Sequence, residues 1–221
     1  FLASAAVLSL VAVLVYVKED MPKQTYIAAL STIINAVAAY HYNEMIKVRT
    51  NLKISADTEW KIGALRHSDW AVTMPLLILK LYAFINNTER DLLLSSVDLS
   101  ALLACAMVLL GAYVRLGLDE LAGWNVLTNL DKGLGILCYV GSWIILVLLL
   151  VDLCITYSEV DNTAVVYSFF LVWPCYGVTA CVSAWARQGN TYYPKNVALL
   201  KDVIYSGLDV FSKAVFAWYT S

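Results

Sequence analysis

The chain has 221 residues, of which 61% are apolar and 14% are charged. Soluble domains average roughly 45–50% apolar and about 25% charged residues, so this composition leaves too little polar surface to cover a water-soluble globule. The formal net charge is -2, and the sequence has no basic run, which argues against a nucleic-acid partner. The composition therefore predicts a membrane protein.

Neither end of the sequence carries the signals of a native terminus. The chain begins at Phe1 rather than at Met and stops at Ser221, just after an apolar run. We therefore expect native tails beyond both ends, and a targeting signal cannot be judged from this sequence.

The reactive side chains form no catalytic or metal-binding pattern. The cysteines are odd in number, stand inside apolar runs and form no C-x-x-C pair, which predicts free buried thiols. The sequence shows no metal-ligand spacing, phosphate-binding loop or nucleophile motif, so it predicts neither a metal site nor an enzyme. The cysteines are Cys105, Cys138, Cys154, Cys175 and Cys181.

Seven stretches of the chain are long and apolar enough to span a bilayer. A spanning helix needs about 20 predominantly apolar residues, and short polar segments separate the stretches, as expected for membrane loops. Continuous apolar runs of this length exclude a membrane barrel, whose alternating strands are about 10 residues long. The predicted spans are 1–17, 26–44, 62–85, 92–114, 134–155, 164–186 and 197–219.

Most of the predicted loops are short, so neighbouring helices should pack antiparallel. The chain contains no soluble domain, internal repeat or low-complexity segment. The sequence therefore predicts a single domain over 1–221, an all-α bundle of seven transmembrane helices surrounded by membrane lipid. We expect an integral, multi-pass protein of the cell membrane.

Ionisable side chains inside the predicted spans are the informative residues. A charge within the bilayer is costly and marks a functional site by default. Six of them stand out, on three of the seven helices: His41 in the second span, Arg66, Asp69 and Lys80 in the third, and Asp209 and Lys213 in the seventh.

Helical geometry arranges the third- and seventh-span residues in two groups. Asp209 and Lys213 are four residues apart, so they share one helix face with Cβ atoms about 5–6 Å apart. Arg66 lies about 4.5 Å from Asp69 along the third helix, and Lys80 lies about 16 Å to the other side, within about 20° of the same face. A structural ion pair would explain the first group alone, whereas the column of titratable groups favours a proton path.

Three segments resemble motifs of the microbial (type 1) rhodopsins. They are RHSDWAVTMPLL at 66–77 in the third span, WPCY at 173–176 in the sixth and LDVFSK at 208–213 in the seventh. Their order and helix positions make the resemblance specific, and it covers the whole seven-helix chain. The resemblance implies the rhodopsin fold and a retinal cofactor.

The resemblance also implies how the cofactor is held. Lys213 would carry all-trans-retinal as a Schiff base, and Asp69 and Asp209 would be its counterions, with Asp69 as proton acceptor. Gly177 departs from the pattern, because many family members have proline there. The implied retinal pocket consists of Trp70, Pro75, Leu77, Trp173 and Tyr176.

A polar cluster is expected next to the counterions. By the resemblance, Arg66 would order this cluster. Thr73 stands one turn beyond Asp69, where its hydroxyl can hydrogen-bond the carboxylate. Glu44 stands one turn from His41 and adds a further carboxylate to the cluster.

Two residues narrow the resemblance to proteorhodopsins and xanthorhodopsins. The segment AYHY at 39–42 resembles their second helix, whose histidine pairs with the acceptor, so His41 and Asp69 would titrate as a unit. Alternatively, His41 is a hydrogen-bonded core histidine. Lys80 stands 11 residues after Asp69, where these pumps usually have a carboxylate donor and a small subset has lysine. A buried lysine can donate a proton, although an amine that reaches the interface would do no chemistry.

The resemblance favours a light-driven outward proton pump. A light-gated cation channel is the alternative, supported by Glu44, by Gly177 and by a likeness of the LDVFSK segment to viral rhodopsins. A photosensor is a third possibility, since sensors keep the aspartate and the lysine. Sodium and chloride pumping are disfavoured, because the third helix has neither the Asn nor the Gln of sodium pumps and Asp69 is an acid.

Orientation and assembly stay open at the level of sequence. Apart from the three buried cations, three basic residues lie on the side of the first loop and nine on the opposite side. The positive-inside rule would place the second side in the cytoplasm, opposite to the ordinary orientation of the family. Family members commonly form trimers or pentamers, so a homo-oligomer is expected.

Overall fold

The computed structural model describes residues 2–51, 56–85, 97–114, 129–157, 163–186 and 195–215. These ranges contain seven helices, which confirms the predicted all-α class. The polar segments at 86–91, 159–162 and 189–194, which separate predicted spans, lie outside the described residues. The helices are α1 (Leu2–Lys18), α2 (Pro22–Asn51), α3 (Ala56–Ile85), α4 (Val97–Ala112), α5 (Asn129–Tyr157), α6 (Thr163–Ala186) and α7 (Lys195–Asp209), and α7 continues as a π-helical turn over Val210–Val215.

The helices pack in chain order around a common interior. Each helix from α1 to α6 contacts the next one in the sequence, and α6 contacts α7. The π-helical turn of α7 closes the arrangement, because it also contacts α1 and α2. The interior is therefore lined by residues that are far apart in the sequence, including those of α2, α3 and α7.

Large apolar side chains lie on the outside of the bundle, and several charged side chains lie inside it. Leu8 on α1 is 68% exposed, whereas Asp69 and Asp209 are 0% exposed. Among the described residues, only the segment Leu130–Ile155 of α5 is both long enough and apolar enough to cross a membrane by length and composition. The helices α3 and α7 carry buried charges, which lower their apolar character. Apolar side chains on the exterior, with the few charged side chains of the spans turned inward, are the arrangement expected in lipid.

The turn between α1 and α2 has an identifiable stop signal. Asp20 adopts a left-handed conformation with φ of 54°, which Asp tolerates better than most residues. The Met21 amide donates to the Tyr16 carbonyl at 2.9 Å, and the Asp20 amide donates to the Val17 carbonyl at 3.3 Å. These two bonds form a Schellman motif that ends α1, and Pro22 then opens α2.

The main apolar core joins five helices, from α2 to α6. Leu77, Ile78 and Leu81 of α3 are completely buried at its centre. A polar contact ties three helices together beside it, since Tyr82 of α3 and Ser100 of α4 both donate hydrogen bonds to the Asp152 carboxylate on α5. The part of the bundle around these residues is therefore tightly packed.

Gly177 on α6 is required by the indole of Trp143 on α5. A Cβ atom at residue 177 would lie 2.4 Å from Cζ2 of the Trp143 ring, well inside van der Waals contact. The absence of a side chain thus lets the indole reach the backbone of α6. The departure from proline at this position has a steric reason in this chain.

We expect Gly177→Ala to displace the Trp143 ring and to destabilise the protein by about 1–3 kcal/mol, the usual cost of overpacking. Thermal unfolding in detergent would measure this. The matched control is Gly133→Ala on α5, where a Cβ atom meets nothing within 4 Å and where Ala improves helix propensity by up to about 1 kcal/mol. Adding Trp143→Phe to Gly177→Ala should recover stability. Equal unfolding temperatures for the two alanine variants would contradict the steric argument.

Candidate functional site

The centre of the bundle holds a lysine between two carboxylates. The side chains of Lys213, Asp69 and Asp209 are all 0% exposed. The Lys213 ammonium donates a hydrogen bond to Oδ2 of Asp69 on α3 and lies 3.4 Å from Oδ1 of Asp209 on α7. The structure thus brings Lys213 and Asp209 of α7 together with Asp69 of α3.

The backbone that carries Lys213 is irregular. The chain changes from α-helix to π-helix at Val210, and the π-helical turn extends to Val215. Such turns are rare and frequently occur at functional sites. Here the turn carries Lys213 at its fourth residue and sets the ammonium between α3 and α7.

Asp209 is surrounded by hydrogen-bond donors from three other helices. Tyr42 of α2 donates to its Oδ2 at 2.5 Å. Trp70 of α3 and Tyr176 of α6 donate to its Oδ1 at 3.0 and 2.8 Å. Both oxygens of Asp209 therefore accept hydrogen bonds, and the carboxylate is held in place from α2, α3 and α6.

Asp69 has a different environment. Its Oδ1 atom is buried and has no hydrogen-bond partner in the described part of the chain. Thr73 donates to the backbone carbonyl of Asp69 at 2.9 Å, and not to the carboxylate as the sequence suggested. Asp69 therefore keeps one oxygen available for a proton, in contrast to Asp209.

His41 lies close enough to Asp69 to act on it electrostatically. Its Nδ1 atom is 2.9 Å from the carbonyl oxygen of Val37 on the same helix, and its ring packs edge-on against Tyr40. Among the described residues the ring makes no hydrogen bond to Asp69. A direct contact between the two would therefore use Nε2.

Among the described residues, Arg66 forms its ion pair with Asp202 rather than with either counterion candidate. Both of its terminal nitrogens lie near Oδ1 of Asp202 on α7, at 3.3 and 3.4 Å. Its Cζ atom stands 4.8 Å from the centre of the Tyr205 ring, a cation–π geometry. The sequence predicted Arg66 in the polar cluster, and the structure adds Asp202 as its ion-pair partner.

The remaining polar candidates are Lys80, which is fully buried, and Glu44, which is half-buried. The Lys80 side chain is 0% exposed, so its amine does not reach the protein surface. Glu44 pairs with Lys47 on the same helix at 2.5 Å, and their side chains are 30% and 57% exposed. The structure therefore does not bring Glu44 to the cluster formed by Asp69 and Lys213.

Aromatic side chains form a wall beside Lys213. The Trp70 ring packs edge-on against Tyr176 and Tyr205, with centroids 5.0 and 5.2 Å apart. Trp173 is 2% exposed, and Leu77 is completely buried. Pro75 lies inside α3. A narrow cleft between α6 and the π-helical turn is lined by Ser168, Phe169, Val172, Trp173, Phe211 and Ser212.

Several residues of this region were not anticipated from the sequence. Tyr42 directly follows His41 but had no assigned function. Asp202, Tyr205 and Asp209 are spaced three and four residues apart, so they share one face of α7, a pattern that the sequence contains. Nothing in the sequence distinguishes Trp143, because its importance follows only from its contact with Gly177 on α6.

The family comparison agrees with the seven-helix fold. A family model described as bacteriorhodopsin-like protein matches residues 1–220. The chain belongs to the microbial rhodopsin family. This rhodopsin is therefore an integral multi-pass membrane protein, and its family binds retinal. Members typically act as pumps, channels or sensors rather than enzymes.

A solved structure supports the same fold. The rhodopsin is similar to the light-driven proton pump LR (Mac) from the fungus Leptosphaeria maculans, with a TM-score of 0.62 and 17% sequence identity. The match covers 99% of this chain and 92% of that chain. At this identity the likeness concerns the fold. No curated protein sequence matches the chain significantly.

The buried charges predict a specific pattern of stabilities in the retinal-free protein. Lys213→Met leaves two buried carboxylates without their cation, and we expect a loss of about 3–5 kcal/mol in the free energy of unfolding. Adding Asp69→Asn removes one of these charges and should recover much of the loss. Denaturant unfolding in detergent, followed by tryptophan fluorescence, would measure both.

The matched control for this pair is Lys47→Met. Lys47 also pairs with a carboxylate, but its side chain is 57% exposed, and exposed pairs contribute about 0–1 kcal/mol. If Lys213→Met were as stable as the native protein, the buried ion pair would not be formed in solution.

Proposed function

We propose that this rhodopsin is a light-driven outward proton pump that binds all-trans-retinal through Lys213. The observation that carries the proposal is the fully buried Lys213 ammonium between Asp69 and Asp209. A reactive amine, an acceptor and a second counterion are thereby held together at the centre of a membrane bundle.

The residues present fit a retinal cofactor. A lysine amine forms a Schiff base with an aldehyde, and the fully buried Lys213 directly follows Ser212, which lines the cleft between α6 and the π-helical turn. Trp70, Trp173, Tyr176, Pro75 and Leu77 offer apolar surface for a polyene. When bound at Lys213, retinal would supply the response to light.

Asp209 and Asp69 have different functions in this proposal. Asp209, held by three donors, serves as the second counterion. Asp69, with Oδ1 unoccupied, takes the proton when its pairing with Lys213 weakens. His41 acts electrostatically on Asp69 from α2 and helps to share the transferred charge. These assignments are those of a proteorhodopsin-like pump.

Lys80 is the proposed proton donor on the other side of the site. It lies on the same face of α3 as Asp69, about 16 Å along the helix axis, and its side chain is completely buried. Burial disfavours the charged ammonium. Lys80 can therefore rest as a neutral amine, take up a proton when water enters this half of the bundle, and pass it on.

The surroundings proposed for the pump are lipid and further copies of the same chain. Large apolar side chains on the outer faces of α1 and α5 are exposed, among them Leu8, Leu14 and Ile155. Such surfaces suit contact with lipid tails. A homo-oligomer, trimeric or pentameric, belongs to the same proposal.

Transport is tested by the light-induced pH change of a suspension of cells that express the protein and are supplied with retinal. Acidification of the medium that a protonophore abolishes is the expected result. Alkalinisation that the protonophore abolishes would indicate inward transport or inverted insertion. No pH change in cells with a visible retinal band would overturn the pump and direct attention to a light-gated cation channel, which patch-clamp recording would detect.

The donor assignment predicts a kinetic effect. In Lys80→Ala the internal proton source is lost, so the last, reprotonating step of the photocycle should slow by on the order of 100-fold. Flash photolysis measures this step. Lys47→Ala, which removes an exposed lysine, is the control and should leave the rate unchanged. An unchanged rate in Lys80→Ala would remove Lys80 from the pathway.

A further inference from the structure

A chain of alternating charges occupies the end of the bundle where α2 ends and α3 and α7 begin. Arg66 contacts Oδ1 of Asp202, and Arg49 donates to Oδ2 of the same carboxylate. Arg49 also donates to Oε1 of Glu59 at 2.5 Å. Lys201 completes the chain by donating to Oε2 of Glu59 at 3.0 Å.

This ion-pair chain is largely removed from solvent. The side chains of Arg66, Glu59 and Lys201 are only 4–5% exposed, whereas those of Arg49 and Asp202 are 19% and 21% exposed. Because its members come from α2, α3 and α7, the chain joins these three helices. It lies between the Lys213 site and this end of the bundle.

Arg66 stands opposite two carboxylates on one face of α7. Asp202 and Asp209 are seven residues apart, which corresponds to about 10.5 Å of rise and a rotation of only about 20°. Tyr205 lies between them, and its ring is beneath the guanidinium. An arginine side chain is long enough to turn towards either carboxylate, and in this structure it lies at Asp202.

We infer that Asp202 is a positioning residue that holds Arg66 away from Asp69 and Asp209 in the unilluminated protein. Arg49 fixes Asp202 from the opposite side through its second oxygen. The inference rests on the proposed function, because it assigns to Asp202 control over the charge next to the proposed counterions. Without Asp202, the guanidinium would be attracted to Asp209 and Asp69 and would favour their ionised forms.

The test is the acid titration of the visible absorption band in Asp202→Asn. Protonation of a counterion lowers the excitation energy of the bound cofactor, so the band moves to the red as the pH falls. With Arg66 released, the midpoint of this transition should fall by about one pH unit or more, the effect of an opposite charge within hydrogen-bonding range. Asp202→Glu keeps the carboxylate and should retain the native midpoint.

Removal of the Asp202 charge also shifts the counterion titration directly, without any movement of Arg66. A double-mutant cycle separates this direct effect from the effect that depends on Arg66. In an Arg66→Gln background, Asp202→Asn should shift the midpoint much less than it does in the native protein. The other titratable groups around the counterions are the same in all variants: His41 and Tyr42 on α2, Tyr176 on α6, and Tyr205 and Lys213 on α7. A shift of equal size in both backgrounds would overturn the inference.

Glu59→Gln is the matched control for a purely structural effect. It breaks the same ion-pair chain but removes no contact of Arg66, so it should lower the thermal stability of the retinal-free protein without moving the midpoint. Asp202→Asn should lower the stability and move the midpoint. If Glu59→Gln and Asp202→Asn moved the midpoint equally, Asp202 would have no specific positioning effect.

The spectral titration does not require transport, so it separates this inference from the pump. A protein that titrates as expected but moves no protons would refute the pump and leave the function of Asp202 intact. A pumping protein in which Asp202→Asn leaves the midpoint unchanged would refute the inference about Asp202 alone.

Discussion

The structure depends on the charge of one buried amine. An ammonium inside a membrane bundle is costly unless it is paired and hydrogen-bonded, and Lys213 obtains this pairing from Asp69 on α3 and Asp209 on α7. Two carboxylates against one lysine leave an excess negative charge. Tyr42, Trp70 and Tyr176 solvate that charge at Asp209, which explains why four helices converge on this carboxylate.

The requirement that a buried charge be paired also distinguishes the two ends of the bundle. Towards the ends of α2, α3 and α7, charges balance one another in a chain that begins at Arg66 and includes Asp202 and Arg49. Towards the other end, Lys80 is buried beside a tightly packed apolar core. The two ends of the bundle therefore differ physically, one being of low polarity and the other built from paired charges.

Steric constraints complete the electrostatic ones. The indole of Trp143 reaches α6 only because residue 177 is glycine, and the π-helical turn determines where Lys213 projects from α7. Both features lie within the region where the cofactor is proposed to bind. The shape of the site therefore follows from local backbone irregularity as well as from the choice of side chains.

The sequence by itself determined the seven helices, because long apolar runs in lipid have one stable regular structure, in which each backbone group is bonded within its own segment. It also determined which residues share a helix face, such as Asp209 with Lys213, because that follows from 3.6 residues per turn. The tertiary structure decided the partners between helices. Arg66 lies at Asp202, and Glu44 lies outside the cluster, because the rotation of each packed helix selects among partners that the periodicity of a single helix leaves open.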